Sequence, residues 1–215
     1  MPKIVDHEER KIEIVEATWK VIEKMGIAEV TTRRIAKESG YSIGVLTHYF
    51  DNKDDILSAA LNVLYQQNIE RCKEHLNTYE SLESLWAILC EQIPLTKRTL
   101  LESKVTIAFS GIALGNPKLS KCFKDSDDEW HGNTKKLIEN LQKTKLVSSA
   151  NNADEMTSEI ITHLYGLGVI AIHNPRRYPP IYLKESLYKK LISLNIKAEK
   201  IDFDILPKAY QLPFK

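Results

Sequence analysis

The sequence predicts an all-α protein. Apolar residues recur at intervals of three and four along most of its 215 residues, and no stretch alternates with period two for long enough to form a sheet. Its eight glycines and eight prolines are sparse and lie where helices should end. We expect an amino-terminal three-helix domain with a helix-turn-helix over residues 1–52, followed by a larger helical domain over residues 53–215.

The composition of the chain narrows the class of protein. A net charge of +1 excludes a generally basic nucleic-acid binder, so any nucleic-acid contact must come from a local patch. The three cysteines are odd in number and form no CxxC pair, which favours reduced thiols and a cytoplasmic location.

The amino-terminal segment is charged and lacks the apolar core of a signal peptide. The most apolar later stretch, residues 164–172, is far shorter than the roughly 20 residues of a membrane span, so no membrane partner is expected.

The first helix should run from Asp6 to Met25 and end at Gly26. Its apolar face should comprise Ile14, Ala17, Thr18, Val21, Ile22 and Met25. Charged residues lie mostly on the opposite side, so this helix is expected to support the segment that follows it.

A short second helix should run from Arg33 to Ser39. Either Thr31 or Thr32 can cap its amino terminus, because a threonine hydroxyl accepts a hydrogen bond from an unpaired backbone N–H. Gly40 follows the helix directly, where a left-handed backbone conformation commonly ends one. The chain must therefore turn at Gly40.

The third helix, residues 43–50, is expected to be capped by Ser42. It is under three turns long and needs a scaffold to be stable. Its inward anchors should be Val45, Leu46 and Tyr49 or Phe50. The side most able to reach outward consists of Ile43, Gly44, Thr47 and His48. Two helices joined by a glycine-containing turn fit a helix-turn-helix, whose second helix enters the major groove of DNA, although such pairs also occur in all-α proteins with other roles.

The stretch from Thr31 to Lys53, TTRRIAKESGYSIGVLTHYFDNK, resembles the DNA-binding domain of the TetR family of transcriptional repressors. The shared features are the threonine-rich start, the Ile-Ala pair, the glycine turn, and the later serine, glycine, leucine, Tyr-Phe and lysine in the same order and spacing. The resemblance implies a homodimer that binds a palindromic double-stranded DNA operator and leaves it when a small molecule binds. The residues expected to contact DNA are Thr32, Arg33, Ser42, Ile43, Gly44, Thr47, His48, Tyr49 and Lys53. Among these, Thr32, Ser42 and Lys53 are expected on phosphate, and Ile43, Gly44 and Thr47 or His48 on base edges.

A long fourth helix is expected from Lys53 to about Leu76. Asp54 and Asp55 lie in its first turn, where they complement the helix dipole. The family resemblance implies that an effector displaces this helix and so changes the separation of the two recognition helices in the dimer. Further helices are expected over residues 80–93, 97–113, 117–145, 153–173 and 180–194.

The carboxyl-terminal half is similar to betaine-regulator-like members of the same family. The similarity rests on Ile93-Pro-Leu, Glu102, Asn116-Pro, Trp130 and Gly166-Leu-Gly-Val. It implies a domain that binds a small-molecule effector of unknown identity and dimerises through the last two helices. The residues expected at the dimer interface are Ile160, His163, Leu164, Leu167, Gly168, Leu187 and Leu191. Those expected to line the effector pocket, unless they are plain core, are Tyr65, Ile69, Cys72, Leu89, Val105, Phe109, Phe123, Trp130 and Tyr165.

Two other classes of function are compatible with the sequence. One is a helix-turn-helix protein that acts through a protein partner without a small ligand. The other is an all-α enzyme, for which Glu102, His131 and residues 127–129 are a candidate carboxylate site, but the sequence holds no phosphate-binding glycine loop, nucleophile elbow or HExxH motif. Glu159 and His163 lie four residues apart, and an interface hydrogen bond explains them better than a metal because no third ligand is suitably spaced. We therefore expect no cofactor and no metal.

Overall fold

The chain folds into helices joined by short turns. The computed structural model describes residues 7–76, 81–198 and 201. Its described helices are α1 (His7–Met25), α2 (Thr32–Ser39), α3 (Ile43–Tyr49), α4 (Lys53–Leu76), α5 (Leu82–Cys90), α6 (Lys97–Ala113), α7 (Pro117–Lys143), α8 (Ala153–His173) and α9 (Pro180–Ser193). This confirms the all-α prediction. The helix starts predicted at residues 6 and 80 lie outside the described residues.

By packing, the chain forms two compact units. Unit 1 contains the described residues up to Gln67 together with Lys104–Asp125, and unit 2 contains Asn68–Ser103 and the described residues from Ser126 onward. Helices α4, α6 and α7 each contribute residues to both units. The expected division between residues 52 and 53 separates a DNA-binding segment from the rest by function, and it stays a prediction.

In unit 1 the helix-turn-helix packs on α1. Ile14, Ile35 and Leu46, from α1, α2 and α3 respectively, are fully buried. Burying an aliphatic side chain contributes about 1.5–3 kcal/mol relative to leaving it exposed. The Trp19 Nε1 N–H donates to the Ala60 carbonyl oxygen over 3.1 Å, which ties α4 to the same helix. Because α3 has only seven residues, it depends on this support.

The predicted apolar face of α1 is confirmed except at its last residue. Its buried residues include Ile14, Ala17, Thr18, Val21 and Ile22. Met25 is 48% exposed instead. It is the final residue of the helix, and Gly26, with φ 84°, turns the backbone immediately after it. The end of a periodic face is therefore set by the turn and not by the spacing.

In unit 2 the short helix α5 is buried on all sides. Every α5 residue except Glu83 is buried, as expected for a helix that is apolar around its whole circumference. Helices α8 and α9 complete the core with Met156, Ile160, Leu164, Leu167, Leu183, Leu187 and Leu191. An antiparallel bridge between Val147 and Ile196 joins the turn before α8 to the segment after α9.

Helices α7 and α9 end in the same way, slightly earlier than the spacing predicts. Lys145 and Asn195 adopt left-handed conformations with φ 61° and 58°. The following N–H groups, of Leu146 and Ile196, donate back to the carbonyl oxygens of Leu141 and Leu191 at 2.9 and 3.1 Å. This is the bonding of a Schellman cap.

No helix among the described residues is long and apolar enough to cross a membrane.

Candidate nucleic-acid interface

The first half of the helix-turn-helix is fixed by caps at both ends of α2. The Thr31 hydroxyl, rather than that of Thr32, accepts a hydrogen bond from the Arg34 N–H at 3.2 Å. Thr32 is the first residue of the helix and is half-buried. Gly40 ends α2 with φ 76°, in the left-handed region predicted for it. The turn therefore leads into α3 in a defined direction.

Helix α3 holds its inner side in the core and leaves its outer side exposed. Ser42 Oγ accepts from the Val45 N–H at 3.2 Å, so Ser42 is the predicted cap. Leu46 is fully buried, and Phe50, which follows the last helical residue Tyr49, is also buried. The residues predicted to face outward are all exposed: Ile43, Gly44, Thr47 and His48. This small outer face can approach another surface closely.

Three aromatic rings cluster where α3 ends. The His7 ring lies 4.6 Å from Tyr49 and 5.5 Å from His48, measured between ring centroids. The His48 and Tyr49 rings are 5.2 Å apart in an edge-on arrangement. His7 is the first residue of α1, so the start of α1 holds two predicted DNA-contact residues in place. Sequence reasoning missed His7 because helical spacing does not relate residues this far apart in the chain.

The basic residues near the motif divide into those held by acidic partners and those exposed to solvent. The Arg34 guanidinium pairs with the Glu29 carboxylate and donates to the Glu29 carbonyl oxygen at 2.7 Å. Lys24 binds Glu38 at 2.7 Å, and this hydrogen bond lowers the pKa of Glu38. Arg33 and Lys53, both predicted to contact DNA, are exposed. Their positive charge is therefore available to an anion.

Tyr41 ties the turn between α2 and α3 to α1. Its hydroxyl donates a hydrogen bond to the Glu13 carboxylate, which raises the pKa of Tyr41. The Arg10 guanidinium lies 5.7 Å from the centroid of the Tyr41 ring. Sequence reasoning missed this contact as well, because a single polar bond between two elements leaves no periodic pattern.

The residues predicted to line an effector pocket are divided between the two units. In unit 1, Val105 and Phe109 are buried, and the rings of Tyr65 and Phe123 meet edge-on at 6.0 Å. In unit 2, Leu89 and Cys72 are buried, while Ile69 and Trp130 are half-buried. Burial raises the pKa of the Cys72 thiol to about 12, so this thiol is not a reactive nucleophile. Tyr165 is 50% exposed on α8 and lies on the surface of unit 2.

The residues predicted at the dimer interface lie mostly in the core of the chain itself, and their contact with a second chain stays a prediction. Six of the seven residues expected there are buried inside the chain itself: Ile160, Leu164, Leu167, Gly168, Leu187 and Leu191. The seventh, His163, is half-buried and shares a 3.2 Å hydrogen bond with Ser186 of α9. Both α8 and α9 are apolar on more than one side, and these residues lie on the sides that form the core. The exposed apolar side chains on the two helices are instead Tyr165, Ile181, Tyr182 and Ile192.

A buried ionic cluster joins three segments of unit 2. The Arg71 guanidinium of α4 donates to Glu91 at 2.8 Å and to Glu102 of α6 at 2.7 Å. Arg98 donates to the other oxygen of Glu102 at 3.0 Å. Burial by itself raises the pKa of Glu91, but the nearby His75 ring and the hydrogen bond from Arg71 outweigh it and leave that pKa below its usual value. The cluster therefore holds an ionised Glu91 carboxylate inside the unit.

Glu102 and His131, considered above for an enzyme's carboxylate site, each have other partners. Glu102 is engaged by two arginines, and His131 Nε2 lies 3.2 Å from Ser158 Oγ. Glu159, considered with His163 for an interface or a metal, pairs with Lys190 of α9 at 2.6 Å. In the described part of the chain, no group of three or more His, Cys, Asp or Glu residues could hold a metal ion.

Helix α3 is capped, packs on α1 and α2, and exposes its outer face between the exposed basic residues Arg33 and Lys53. These features are those of a helix-turn-helix DNA-binding protein. The family model described as bacterial regulatory proteins, tetR family, matches residues 14–60. The model described as BetI-type transcriptional repressor, C-terminal, matches residues 81–185. The chain belongs to the TetR family of bacterial transcriptional regulators.

Individual relatives agree with this assignment. The HTH-type transcriptional regulator PksA of Bacillus subtilis (strain 168) is 29% identical over 92% of this chain and 95% of its own length. The HTH-type transcriptional regulator BetI 2 of Chromohalobacter salexigens is 26% identical over 79% of this chain and 82% of its own. Among solved structures, a protein from Saccharomonospora viridis, described as a transcriptional regulator in complex with choline, is 25% identical with a TM-score of 0.79. The match covers 88% of this chain and 98% of that one.

The protein is thus a DNA-binding transcriptional regulator. Its relatives are regulators and not enzymes, which removes the enzyme alternative. The predicted family, and the predicted similarity of the carboxyl-terminal half to betaine regulators, are confirmed. The DNA contacts assigned to individual residues stay predictions.

Proposed function

We propose that this protein is a homodimeric repressor that holds a palindromic operator with its two α3 helices and releases it when a small molecule binds. Such a regulator acts on the chromosome, in the cytoplasm. The observation that carries the proposal is the outer face of α3, where Ile43, Gly44, Thr47 and His48 are all exposed. A recognition helix needs an outer face of this kind, because its amino-terminal part must approach base edges in the major groove.

The residues around α3 divide by the chemistry they offer. Thr32, Ser42 and Lys53 can position the helix through phosphate, with Arg33 and Tyr49 beside them. The Thr47 hydroxyl donates to the Gly44 carbonyl oxygen at 3.1 Å, so toward a base Thr47 offers its methyl group or an acceptor lone pair. Ile43 is apolar and 48% exposed. Apolar contacts in the major groove fall on thymine methyl groups, so we expect A·T pairs under α3.

A second copy of the chain is the partner that the exposed side of α8 and α9 fits. Tyr165, Ile181, Tyr182 and Ile192 are 50, 55, 42 and 45% exposed on these two helices. The helices are held to each other within unit 2 by the His163–Ser186 and Glu159–Lys190 contacts. Two-fold pairing through this face would match the symmetry of a palindromic operator. It would also bury apolar area that is otherwise in water.

The proposed dimer is tested by placing charge on this face. Replacing both Ile181 and Ile192 with lysine should convert a dimer into a monomer, as measured by light scattering on a size-exclusion column. Ile12 on α1 is 43% exposed and serves as the control, because Ile12→Lys makes the same change outside α8 and α9. A double variant that remains dimeric would remove this face as the interface.

The small-molecule effector is supported by the relatives. A structural relative holds choline, and the carboxyl-terminal model that matches is of the BetI type. Quaternary ammonium groups bind against aromatic faces. Two of the residues predicted to line the pocket, Tyr65 and Phe123, place aromatic rings 6.0 Å apart in unit 1. Choline is therefore the first compound to test.

The central experiment is a titration of the full chain against the DNA immediately upstream of its own gene, with a scrambled duplex as control. We expect preference for the upstream DNA, two chains per site, and weaker binding when choline is added. Preference without any response to choline would point to another effector or to a protein partner. Equal binding to both duplexes at every salt concentration would contradict sequence-specific recognition.

Lys53 provides the sharpest single-residue test of the proposed DNA contact. Its side chain is exposed at the first residue of α4. Lys53→Ala should weaken binding to all sequences about equally and lower the slope of log affinity against log salt by about one unit, because one phosphate contact is lost. An unchanged slope would argue against a phosphate contact.

A further inference from the structure

Asn116 joins the start of α7 to the start of α4. It precedes Pro117, the first residue of α7, and its Oδ1 accepts hydrogen bonds from the N–H groups of Lys118 and Leu119 at 3.1 and 3.2 Å. Its Nδ2 donates to Asp54 Oδ2 at 2.8 Å. One amide side chain therefore caps α7 with its oxygen and holds α4 with its nitrogen. All of these residues belong to unit 1.

Lys118 makes a second link to the next residue of α4. Its ammonium group forms an ion pair with the Asp55 carboxylate. The hydrogen bond from Lys118 lowers the pKa of Asp55, and the same bond raises the pKa of Lys118. Both groups therefore stay charged around neutral pH. Consecutive residues of α4 are thus bound by the first turn of α7.

The two aspartates directly follow Lys53. Asn52 Oδ1 accepts from the Asp55 N–H at 3.0 Å, which caps this end of α4. Ile56 and Leu57 are buried, so apolar packing fixes the turn on its inner side. Without Asn116 and Lys118, two carboxylates would stand beside a lysine proposed to meet phosphate, and they would repel the same phosphate.

We infer that Asn116 and Lys118 are positioning residues for DNA binding, which hold the first turn of α4, and with it Lys53, in the DNA-binding arrangement. The inference rests on the proposed phosphate contact of Lys53.

The Asn116→Asp substitution separates the two roles of this side chain. A carboxylate caps a helix as well as an amide does, so α7 keeps its cap. A carboxylate cannot donate to Asp54, however, and it repels Asp54. In the titration against upstream DNA we expect binding to weaken by about tenfold, as for loss of one hydrogen bond to a charged group. The circular dichroism spectrum should be unchanged, which shows that the variant is folded.

Exchanging the two groups tests whether the bond itself matters. The double variant Asp54→Asn with Asn116→Asp again places an amide opposite a carboxylate, with the direction of donation reversed. We expect its DNA affinity to return to within about twofold of the wild-type value, since the two sites interact directly. Unchanged binding in Asn116→Asp, or no recovery in the exchanged variant, overturns the positioning role of Asn116.

Lys118 needs a test that separates positioning from direct phosphate contact. Lys118→Met should weaken binding, because the tie to α4 is lost and the unpaired Asp55 carboxylate repels phosphate beside Lys53. Adding Asp55→Asn should restore only the part of the affinity that this repulsion removes. If the double variant stays as weak as Lys118→Met and its salt slope falls by about one unit, Lys118 touches phosphate itself and the positioning role is overturned. Lys121 pairs with Asp125 on the same helix with a side chain 74% exposed, so Lys121→Met is the matched control and should change nothing.

The inference and the proposed function fail in different ways. If Lys53→Ala lowers affinity and salt slope but Asn116→Asp and Lys118→Met bind like wild type, the inference is wrong and the proposed function stands. If the wild-type protein shows no preference for upstream DNA over the scrambled duplex, the proposed function is wrong, and the inference fails with it.

Discussion

The two units differ in how deeply their most buried ion pairs lie. In unit 1 the Lys24 and Lys118 side chains, paired with Glu38 and Asp55, are 59 and 57% exposed. In unit 2 the Arg71 and Glu91 side chains are 10 and 1% exposed. Water screens an exposed pair, whereas breaking a buried pair leaves an uncompensated charge inside the protein. The buried cluster of unit 2 therefore holds helices together, whereas the Lys24 and Lys118 pairs of unit 1 orient residues at a surface.

The largest expected effect follows from breaking the buried cluster. Arg71→Met should lower the free energy of unfolding by about 3–5 kcal/mol, because Glu91 and Glu102 lose their shared cation. The matched control is Arg98→Met, which removes another arginine from Glu102 with a side chain 51% exposed. Arg98→Met should lower the free energy of unfolding by well under about 1 kcal/mol. Equal losses in urea unfolding of the two variants would contradict the distinction between buried and exposed pairs.

The same cluster should make stability depend on pH. The pKa of Glu91 is below its usual value in the folded protein, so its contribution is present above that usual value and is lost as pH falls through the lowered pKa. In Arg71→Met the buried Glu91 carboxylate loses its arginine partner, and protonation of Glu91 relieves the penalty. The stability gap between wild type and this variant should therefore narrow as the pH is lowered from about 7 to about 4. Unfolding curves measured at several pH values would show this narrowing. A stability difference that does not change with pH would count against an ionised, paired Glu91.

Each unit contains a helix capped by a serine, and replacing these serines should have a smaller effect on stability than breaking the buried cluster. Ser42 caps α3 in unit 1, and Ser81 caps α5 in unit 2 by accepting from the Ser84 N–H at 3.1 Å. Replacing either with alanine should cost about 1 kcal/mol of stability. Only Ser42→Ala should also weaken DNA binding, because only α3 is proposed to meet DNA. Equal DNA affinity in the two variants would show that the α3 cap has no part in recognition.

The smallest expected effect is on the exposed pair between Lys24 and Glu38. Lys24→Ala should leave the thermal unfolding midpoint unchanged within error, because the pair is solvated and screened. Calorimetry on Lys24→Ala and on Arg71→Met measures the smallest and the largest of these expected losses of stability. A drop in Lys24→Ala comparable to that in Arg71→Met would mean that exposed pairs in unit 1 carry stability after all.

The local features of the helix-turn-helix could be predicted because they depend on neighbours in the chain. The Ser42 cap, the left-handed Gly40 and the exposed side of α3 all follow from residues a few positions apart. The contacts of Tyr41 with Glu13 and of Asn116 with Asp54 could not be predicted in this way. Each joins residues far apart in sequence through one bond, which no periodicity records.

The dimer face shows the limit of apolar patterning. Helix α8 is apolar on more than one side, so spacing identifies it as doubly packed but does not say which side faces its own core. The structure buries Ile160, Leu164 and Leu167 and leaves Tyr165 exposed. The choice depends on how α9 and the rest of the core pack on α8, which is a property of the assembled unit and not of the helix.

The sequence by itself determined the helices, the Ser42 cap and the Gly40 turn of the helix-turn-helix, and the family of this protein, because each depends on short-range spacing or on an ordered set of residues. Tertiary structure alone decided which charges are buried, which side of α8 is exposed, and which side chains hold the first turn of α4 beside Lys53. Burial and electrostatic screening depend on every element packed around a group. Asp55 and Glu91 are both acidic residues in the chain, and only the fold places one at the surface with Lys118 and the other inside with Arg71.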